Sequence, residues 1–196
     1  PGLKGIDLTL RSGQITGLAG VSGNGQAALA DLIGGLEGPV EGQITLDPAP
    51  QGWSPRAALG AGIARIPEDR HKTGTIADFS LAENAVLECY DKPPFSHRGW
   101  MNWRAAEEFA RQIITTYDVR CPGPEVPIRL LSGGNMQKVI LGRALEPAPR
   151  IILANQPVRG LDIGAVTFVH NRLIAARNAG AAVLLISEDL DEVMAL

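Results

Sequence analysis

Cysteine, basic tracts and long apolar runs are the features that this sequence lacks. The two cysteines, Cys89 and Cys121, are too few and too irregularly placed for a disulfide framework or a zinc site, which fits a reducing compartment. No apolar run approaches the length of a membrane span, and the N-terminal residues do not form a signal-peptide pattern. With 18 Lys and Arg against 21 Asp and Glu and no basic cluster, the net charge of −3 argues against nucleic acid as a partner.

What the sequence does contain describes a folded domain. Its 196 residues are enough for one domain with a sizeable core, and 45% hydrophobic with 20% charged residues is typical of a globular protein. The chain starts at Pro1 and stops at Leu196 inside an apolar helical pattern. We therefore expect it to be a piece of a longer protein.

Strands and helices alternate at both ends of the chain, and helices dominate the middle. Apolar alternation or continuous apolar runs predict strands at residues 6–10, 14–19, 42–46, 63–66, 151–154 and 182–186. Capping residues and helical periodicity predict helices at residues 26–33, about 81–88, 103–118 and 163–178, with others opening after residues 54, 132 and 189, whereas residues 91–102 are predicted to form a loop. This order predicts an α/β fold: a parallel core of about residues 1–67 and 149–196 with a helical insert of about residues 76–148.

A glycine loop, residues 20–25, lies between a predicted strand and a predicted helix. Gly20 and Gly25 meet the G-x-x-x-x-G spacing of a phosphate-binding loop, in which backbone N–H groups cradle an anion. That motif continues with Lys and Ser or Thr, but here Gln26 and Ala27 follow. Glycines at a tight turn from strand to helix are structural at least as often as they are functional, so this loop alone is weak evidence for phosphate binding.

A second glycine-rich helix start, the signature segment, covers residues 131–137. Ser132 is a good helix N-cap, and Gly133 and Gly134 leave the backbone N–H groups and the positive end of the helix dipole open to an anion. The hydroxyl of Ser132 adds another donor. These residues suit a phosphate grip, and they suit an ordinary capped helix equally well.

Aromatic and histidine side chains are better explained by packing and solvation than by ligand binding. Trp100 and Trp103 are predicted to pack a loop on its helix rather than to form a stacking platform. His71 and His170 have no second ligand at metal spacing, so we interpret them as solvated or capping residues.

The order of these motifs resembles one nucleotide-binding domain of the ATP-binding cassette (ABC) family over the whole chain. The motifs follow this order: a glycine loop, a loop that leads into the helical insert, an LSGGxxQ segment, an apolar strand ending in two polar residues, a G-L-D turn and a second apolar strand. Within the family, the chain resembles the second cassette of double-cassette ATPases that drive sugar-type importers, and several segments look most like the branch that imports nucleosides. The segments that carry the resemblance are residues 67–70, 131–137 and 159–165, and for the nucleoside branch residues 23–26, 93–96, 155–157 and 187–190.

The resemblance implies an α/β, P-loop NTPase-like cassette with a parallel core sheet, small antiparallel strands and a helical insert. Such a cassette binds ATP and forms a head-to-tail dimer with a second cassette, which could belong to the same polypeptide. The resemblance also implies transmembrane permease subunits and a cytoplasmic position on the inner face of the cell membrane. The full-length protein would then hydrolyse ATP. The implied nucleotide-binding residues are Gly20, Val21, Ser22, Gly23, Asn24, Gly25, Gln26, Ala27 and Ala28, and the implied signature residues are Leu131, Ser132, Gly133, Gly134, Asn135 and Gln137.

This chain departs from the family pattern where its own site would hold Mg-ATP. Gln26 and Ala27 replace the phosphate-binding Lys and the magnesium-binding hydroxyl, and Asn155 and Gln156 replace an Asp that binds Mg²⁺ and a Glu that activates water. Glu188 replaces the switch histidine. Glu68 replaces the Gln of the first loop, and no aromatic residue precedes Trp53 to stack on adenine. We therefore expect Mg²⁺ mainly at the site that the partner cassette completes, and no hydrolysis by this chain alone.

Further residues are implied to act at interfaces. Asp162 resembles the residue that reaches toward the partner's site, although N-capping of the next helix explains it too. Glu68, Asp69 and Arg70 begin the segment that would contact the membrane subunit, although a surface loop would have the same composition.

Three functional classes remain to be compared. The leading hypothesis is a transport motor in which this cassette donates its signature to ATP on a partner. A non-catalytic scaffold or regulatory module is the alternative, and Ser132 disfavours it because a scaffold needs no phosphate clamp. ABC proteins of DNA repair or translation would keep both hydrolytic sites and show basic patches, and this chain has neither.

Overall fold

The computed structural model describes residues 3–21, 23–47 and 52–196, and within them the chain alternates strands and helices. The strands are β1 (Ile15–Ala19), β2 (Ile63–Ile66), β3 (Ser96–His97), β4 (Trp100–Met101), β5 (Ile151–Asn155) and β6 (Ala182–Ser187). The helices are α1 (Gln26–Ile33), α2 (Pro55–Gly60), α3 (Leu81–Ala85), α4 (Trp103–Thr116), α5 (Gly133–Leu145), α6 (Ile163–Asn178) and α7 (Leu190–Ala195), joined by a π-helical turn at Arg70–Gly74 and a 3-10 turn at Ile128–Leu130. Within these described ranges, no helix has both the length and the apolar composition that crossing a membrane requires.

Two compact units share the chain. The sheet unit consists of Pro1–Pro67, Ala148–Pro157 and His170–Leu196, and the helical unit consists of Glu68–Pro147 and Val158–Val169.

The sheet unit is built on four parallel strands in the order β1-β6-β5-β2. Every residue of β6 is buried, as are the last four of β5, because central parallel strands are covered on both faces. This explains why both strands are continuous apolar runs. The core of this unit joins α1 to the two central strands through Leu29, Ala30, Leu153, Leu184 and Ile186.

The helical unit packs α3, α4 and α5 around a second core. Val86, Phe95 and Ala106 form one buried cluster in it. Gly142 lets α5 approach its neighbour closely, because a Cβ atom there would lie 2.5 Å from the side chain of Ile113 on α4. Each of the three helices starts at a polar cap: Ser80 in a capping box with Glu83, Asn102, and Ser132.

Most predicted elements are confirmed, including the parallel core sheet, but four segments differ. Residues 6–10 and 42–46 form no strand, and the exposed side chains of Ile6 (54%) and Leu8 (38%) show that the apolar alternation there has no buried face to match. The helix predicted to reach residue 88 ends at Ala85, and the predicted loop at residues 91–102 contains the antiparallel β3–β4 pair. Paired neighbours, rather than local pattern, decide strands this short.

Candidate functional site

Three segments of the sheet unit end at one edge of the sheet. The register pairs Ala19 with Ser187 and Asn155 with Ile186, so the carboxyl ends of β1, β6 and β5 are level. The ladder continues one residue further on each side, because Gly20 N–H donates to Ser187 O at 3.3 Å and Gln156 N–H to Ile186 O at 2.8 Å. The glycine loop, Asn155 with Gln156, and Glu188 therefore occupy the edge where parallel α/β sheets bind ligands.

The glycine loop has the backbone of a phosphate cradle. Gly23 (φ 89°) and Gly25 (φ 101°) adopt left-handed conformations that favour glycine. Gly25 is the N-cap of α1 and supplies no side-chain hydrogen bond to it, so the first N–H groups of the helix depend on other partners. Ala27 is exposed and Ala28 is half-buried on the first turn, and Ser22 lies outside the described residues.

Gln26 folds back into this loop. Its Oε1 accepts the N–H of Asn24 at 3.1 Å, and its Nε2 donates to Val21 O at 2.9 Å. Gly20 makes room for the amide, since a Cβ atom there would lie 2.9 Å from Gln26 Nε2. The N–H of Asn24, a donor that a bound phosphate would need, is therefore already bonded to Gln26.

Two amides end β5 where a metal site would need carboxylates. Asn155 is buried, and Gln156 is half-buried in a left-handed conformation (φ 50°). Neutral amides are poor ligands for Mg²⁺ compared with carboxylates, and no general base for water stands here. With the Gln26 amide bonded inside the glycine loop, these residues do not fit Mg-ATP as the family's motif would hold it.

The end of β6 carries a hydrogen-bonded network that the sequence analysis missed. The buried carboxylate of Glu192 accepts Ser187 Oγ–H at 2.6 Å and lies 3.1 Å from His170 Nε2. Ser187 Oγ also accepts the N–H of Asp189, the N-cap of α7. The network fixes the backbone on either side of Glu188, whose side chain is exposed. The interpretation of His170 as solvated or capping is wrong, because a buried carboxylate holds it.

In the helical unit, the signature segment begins α5 with an ordered cap. Ser132 Oγ accepts the N–H of Asn135 at 3.4 Å and its Nδ2–H at 3.0 Å. Asn135 Oδ1 accepts the N–H of Arg120 at 2.8 Å, which fixes the amide from behind. Ser132 is exposed, Leu131 and Gln137 are buried, and in both cap bonds the serine oxygen is the acceptor, so its hydroxyl proton takes no part in either.

The turn that contains Asp162 lies beside the signature segment within the helical unit. Asp162 Oδ1 accepts the N–H of Ala165 at 2.9 Å and so caps the start of α6. A Cβ atom at Gly134 would lie 3.7 Å from the Cβ of Ala165, which is ordinary contact distance. Asp162 itself is exposed.

The segment that starts at Glu68 is ordered by hydrogen bonds of its own. Asp69 Oδ1 accepts the N–H groups of Lys72 at 2.9 Å and His71 at 3.0 Å, and these bonds, the one from Lys72 first, hold the pKa of Asp69 below its usual value. Glu68 accepts the guanidinium of Arg159, and Arg70 donates to the carbonyl of Arg159.

Arg143 and Arg159 were also missed by the sequence analysis. Arg143 is a buried charge in the last turn of α5, and a buried charge signals a paired structural role. Arg159 carried no comparable signal, because its partners come from residues 91 and 89 positions away in the chain.

A parallel sheet with a glycine loop at its carboxyl edge, together with a helical unit that carries a second glycine-rich helix start, defines an ATP-binding cassette. The dimeric post-hydrolysis structure of the ATP-binding cassette MJ0796 bound to ADP and Pi has this fold, with a TM-score of 0.79 at 24% identity over 97% of this chain and 82% of that one. Residues 3–159 match the family model of ABC transporters. The chain belongs to the ABC transporter family.

Two curated relatives match nearly all of the chain. The guanosine import ATP-binding protein NupO of Bacillus subtilis is 45% identical over 99% of this chain, and the nucleoside import ATP-binding protein NupA of Lactococcus lactis is 40% identical over 98%. The chain spans 38% of the length of each relative.

Proposed function

We propose that this chain is a cassette of an ABC importer that donates its signature segment to ATP on a partner cassette, while its own glycine loop is impaired in binding and hydrolysing Mg-ATP. The imported solute is a nucleoside or a sugar, and the names of NupO and NupA favour a nucleoside. The cassette would work on the cytoplasmic face of the membrane, against permease subunits.

The observation that carries the proposal is the side chain of Gln26. A Lys at this position would extend a positive charge toward the β- and γ-phosphates, whereas the Gln26 amide is uncharged and bonds both sides of the loop. Losing one charged hydrogen-bond donor lowers binding by about 1.5–3 kcal/mol. The loss of the metal ligands weakens binding further. We therefore expect an affinity for Mg-ATP about a hundredfold or more below that of an intact site.

Residues at the end of β5 and β6 support the same conclusion. Asn155 and Gln156 bring no negative charge to balance a metal ion, and Glu188 brings a carboxylate that repels a polyphosphate. Phosphoryl transfer depends on positioned positive charge, so these three side chains oppose turnover at this edge.

The signature segment supports the donating role. It combines the exposed hydroxyl of the N-cap Ser132, two glycines and the positive end of the α5 dipole, and the bonds of Asn135 to Ser132 and Arg120 hold these groups in place. An anion that approaches Ser132 would meet its hydroxyl and the first N–H groups of α5. The partner that would bring this anion is a second cassette, from the same polypeptide or another one.

ATP hydrolysis by the full-length protein tests this division of labour. We expect Ser132→Arg to lower turnover about a hundredfold or more, because it fills the phosphate grip and removes a preorganised donor. Ala27→Arg places the same bulky side chain at the glycine loop instead. We expect it to change turnover by no more than about threefold. Both variants receive the same new side chain at the start of a helix, so each is the control of the other.

Two outcomes contradict the proposal. If Ala27→Arg abolishes hydrolysis while Ser132→Arg leaves it intact, this chain's own loop is the working site. If neither variant changes turnover, the chain is a non-catalytic scaffold. Uptake assays with labelled guanosine and ribose in cells that carry the intact transporter then distinguish a nucleoside importer from a sugar importer.

A further inference from the structure

The side-chain amide of Asn135 has a fixed orientation. Its Oδ1 accepts the backbone N–H of Arg120 at 2.8 Å, and its Nδ2–H donates to Ser132 Oγ at 3.0 Å. A backbone N–H is a donor only, so the end of the amide that faces Arg120 must be the oxygen. The NH2 group of Asn135 is therefore directed at Ser132.

This amide determines what the hydroxyl of Ser132 can do. A serine hydroxyl accepts two hydrogen bonds and donates one. Asn135 supplies both accepted bonds, one from its backbone N–H at 3.4 Å and one from Nδ2–H. In the part of the chain that the structure describes, no group accepts the hydroxyl proton, and Ser132 is exposed. The proton is therefore left for an acceptor that comes from outside, such as a phosphate oxygen.

The N–H of Arg120 is placed by the way in which α4 ends. Val119 N–H donates to Ile114 O at 2.9 Å. Asp118 N–H donates to Thr115 O at 3.4 Å, and Asp118 adopts a left-handed conformation (φ 50°). These two bonds form a Schellman motif, which ends a helix at a left-handed residue. Because Val119 is buried, the chain that leads to Arg120 is anchored in the helical unit.

The turn of residues 118–120 is bonded to α5 at both of its ends. Lys138 Nζ–H donates to Asp118 O at 2.7 Å and to the Asp118 carboxylate at 3.1 Å. At the other end, the N–H of Arg120 donates to Asn135. Asn135 and Lys138 lie three residues apart on α5, and such positions share one face of a helix. The turn therefore cannot move along α5 without breaking one of these bonds.

The ammonium of Lys138 is partly covered by protein. The Lys138 side chain is 16% exposed against 76% for that of Asp118, and its Nζ lies 5.1 Å from the ring centre of Phe168 on α6. Attraction to the ring holds the cation where it donates to the backbone carbonyl. A charged donor shielded in this way contributes more than an exposed ion pair, so the position of the turn depends on Lys138.

We propose that Lys138 is a positioning residue for the hydroxyl of Ser132. It fixes the turn of residues 118–120, and the turn orients the amide that makes this hydroxyl a donor. The proposal deepens the function given above and rests on it, because the acceptor is a phosphate oxygen of ATP on the partner cassette. A donor aimed in advance matters most where charge develops during phosphoryl transfer, so its loss lowers kcat more than it weakens ATP binding.

ATP hydrolysis by the full-length protein tests this role. Lys138→Met keeps an unbranched side chain of similar length and removes both hydrogen bonds of the ammonium. We expect it to lower kcat about fivefold, with the KM for ATP within about twofold of wild type. Lys138→Arg keeps a charged donor for the carbonyl of Asp118, and we expect it to keep kcat within about twofold of wild type.

The matched control is Arg111→Met on α4. Arg111 is an exposed cation of the same unit, and its ion pair with Glu107 at 2.9 Å is a surface pair that contributes little to stability. Both variants remove one positive charge and introduce the same side chain. We expect the control to keep the wild-type kcat. If Lys138→Met matches the control, or changes KM alone, Lys138 has no positioning role.

Hydrogen exchange in the full-length protein measures the bonded route without activity. Asn135 Oδ1 protects the Arg120 amide, so Lys138→Met should speed exchange there about tenfold, with no change in Arg111→Met. Slow exchange along β6 shows that each variant is folded. An unchanged rate at Arg120 overturns the role of Lys138. If Ser132→Arg leaves turnover intact, the proposed function fails instead, and exchange at Arg120 alone then judges whether Lys138 fixes the turn.

Discussion

The glycine loop and the signature segment are two glycine-rich helix starts that the structure finishes in opposite ways. At the glycine loop, the N-cap is Gly25, which has no side chain to cap α1, and the Gln26 amide turns inward to bond the loop. At the signature segment, the N-cap is Ser132, which orders Asn135 and keeps its hydroxyl on the surface. Both segments have a glycine-rich helix start. At the glycine loop a side chain bonds to the backbone of the loop, whereas at the signature segment a side chain places a hydroxyl at the exposed helix start.

The charges around the two helix starts differ in a related way. The signature segment ends next to a cation, Lys138, but this ammonium donates to Asp118 O at 2.7 Å and to its carboxylate at 3.1 Å, and it lies 5.1 Å from the ring centre of Phe168. Its charge is thus committed within the helical unit. The signature segment itself offers an anion a hydroxyl, N–H groups and a dipole. The Arg70 guanidinium lies beside Gly133.

The largest effect is expected from rebuilding the glycine loop of this chain as an intact site. Gln26→Lys, Ala27→Thr, Asn155→Asp and Gln156→Glu together should raise the affinity for Mg-ATP about a hundredfold, because they restore a phosphate-binding cation and the metal ligands. Calorimetric titration with Mg-ATP measures the change, and a chelator should abolish the gain in the rebuilt protein while leaving wild type unaffected.

The matched control for the rebuilt site carries Asn155→Asp and Gln156→Glu alone. These changes add negative charge without the loop cation, so we expect no gain in affinity. Tight, chelator-sensitive binding of Mg-ATP by the wild-type chain would remove the contrast between the two helix starts.

A smaller effect is expected from opening the glycine loop without adding charge. Gln26→Ala removes the internal acceptor at Asn24 N–H and should raise the affinity for ADP about tenfold, with or without Mg²⁺. Gln112→Ala is the control, since the Gln112 amide is bonded to Glu146 in the helical unit. Equal or weaker ADP binding by Gln26→Ala would show that the amide supports the loop rather than closing it.

Much of the fold was predictable because the periodicity of apolar residues and the helix-capping residues determine local structure within a short segment of sequence. The buried runs at β5 and β6, the helix α6 and the Ser132 cap appear where periodicity and capping rules place them. The failures at residues 6–10 and 42–46 concern short strands, whose existence depends on partners that no local pattern encodes.

The sequence predicted which residues belong to the candidate site, but it did not predict the hydrogen bonds between them. Substitutions at the motif positions showed which charges were missing, yet the inward turn of Gln26 depends on the space that Gly20 leaves. The Glu192 network likewise joins His170 to Ser187 across 17 residues of sequence. The bonds of Arg159 with Glu68 and Arg70 join residues 91 and 89 positions apart. Contacts of this kind follow from the topology, which sequence pattern gives only in outline.

The smallest effect is expected on stability, and it separates capping from phosphate binding at the signature segment. Ser132→Ala and Ser54→Ala each remove a serine that accepts a backbone N–H at a helix start, so each should lower the free energy of unfolding by about 1 kcal/mol. Urea denaturation of the chain measures both. In the full-length protein, ATP turnover should fall for Ser132→Ala and stay unchanged for Ser54→Ala, because the Ser54 cap belongs to a helix without a glycine-rich start. Equal turnover in the two variants would make Ser132 an ordinary cap, and the contrast between the two helix starts would then lie in the glycine loop alone.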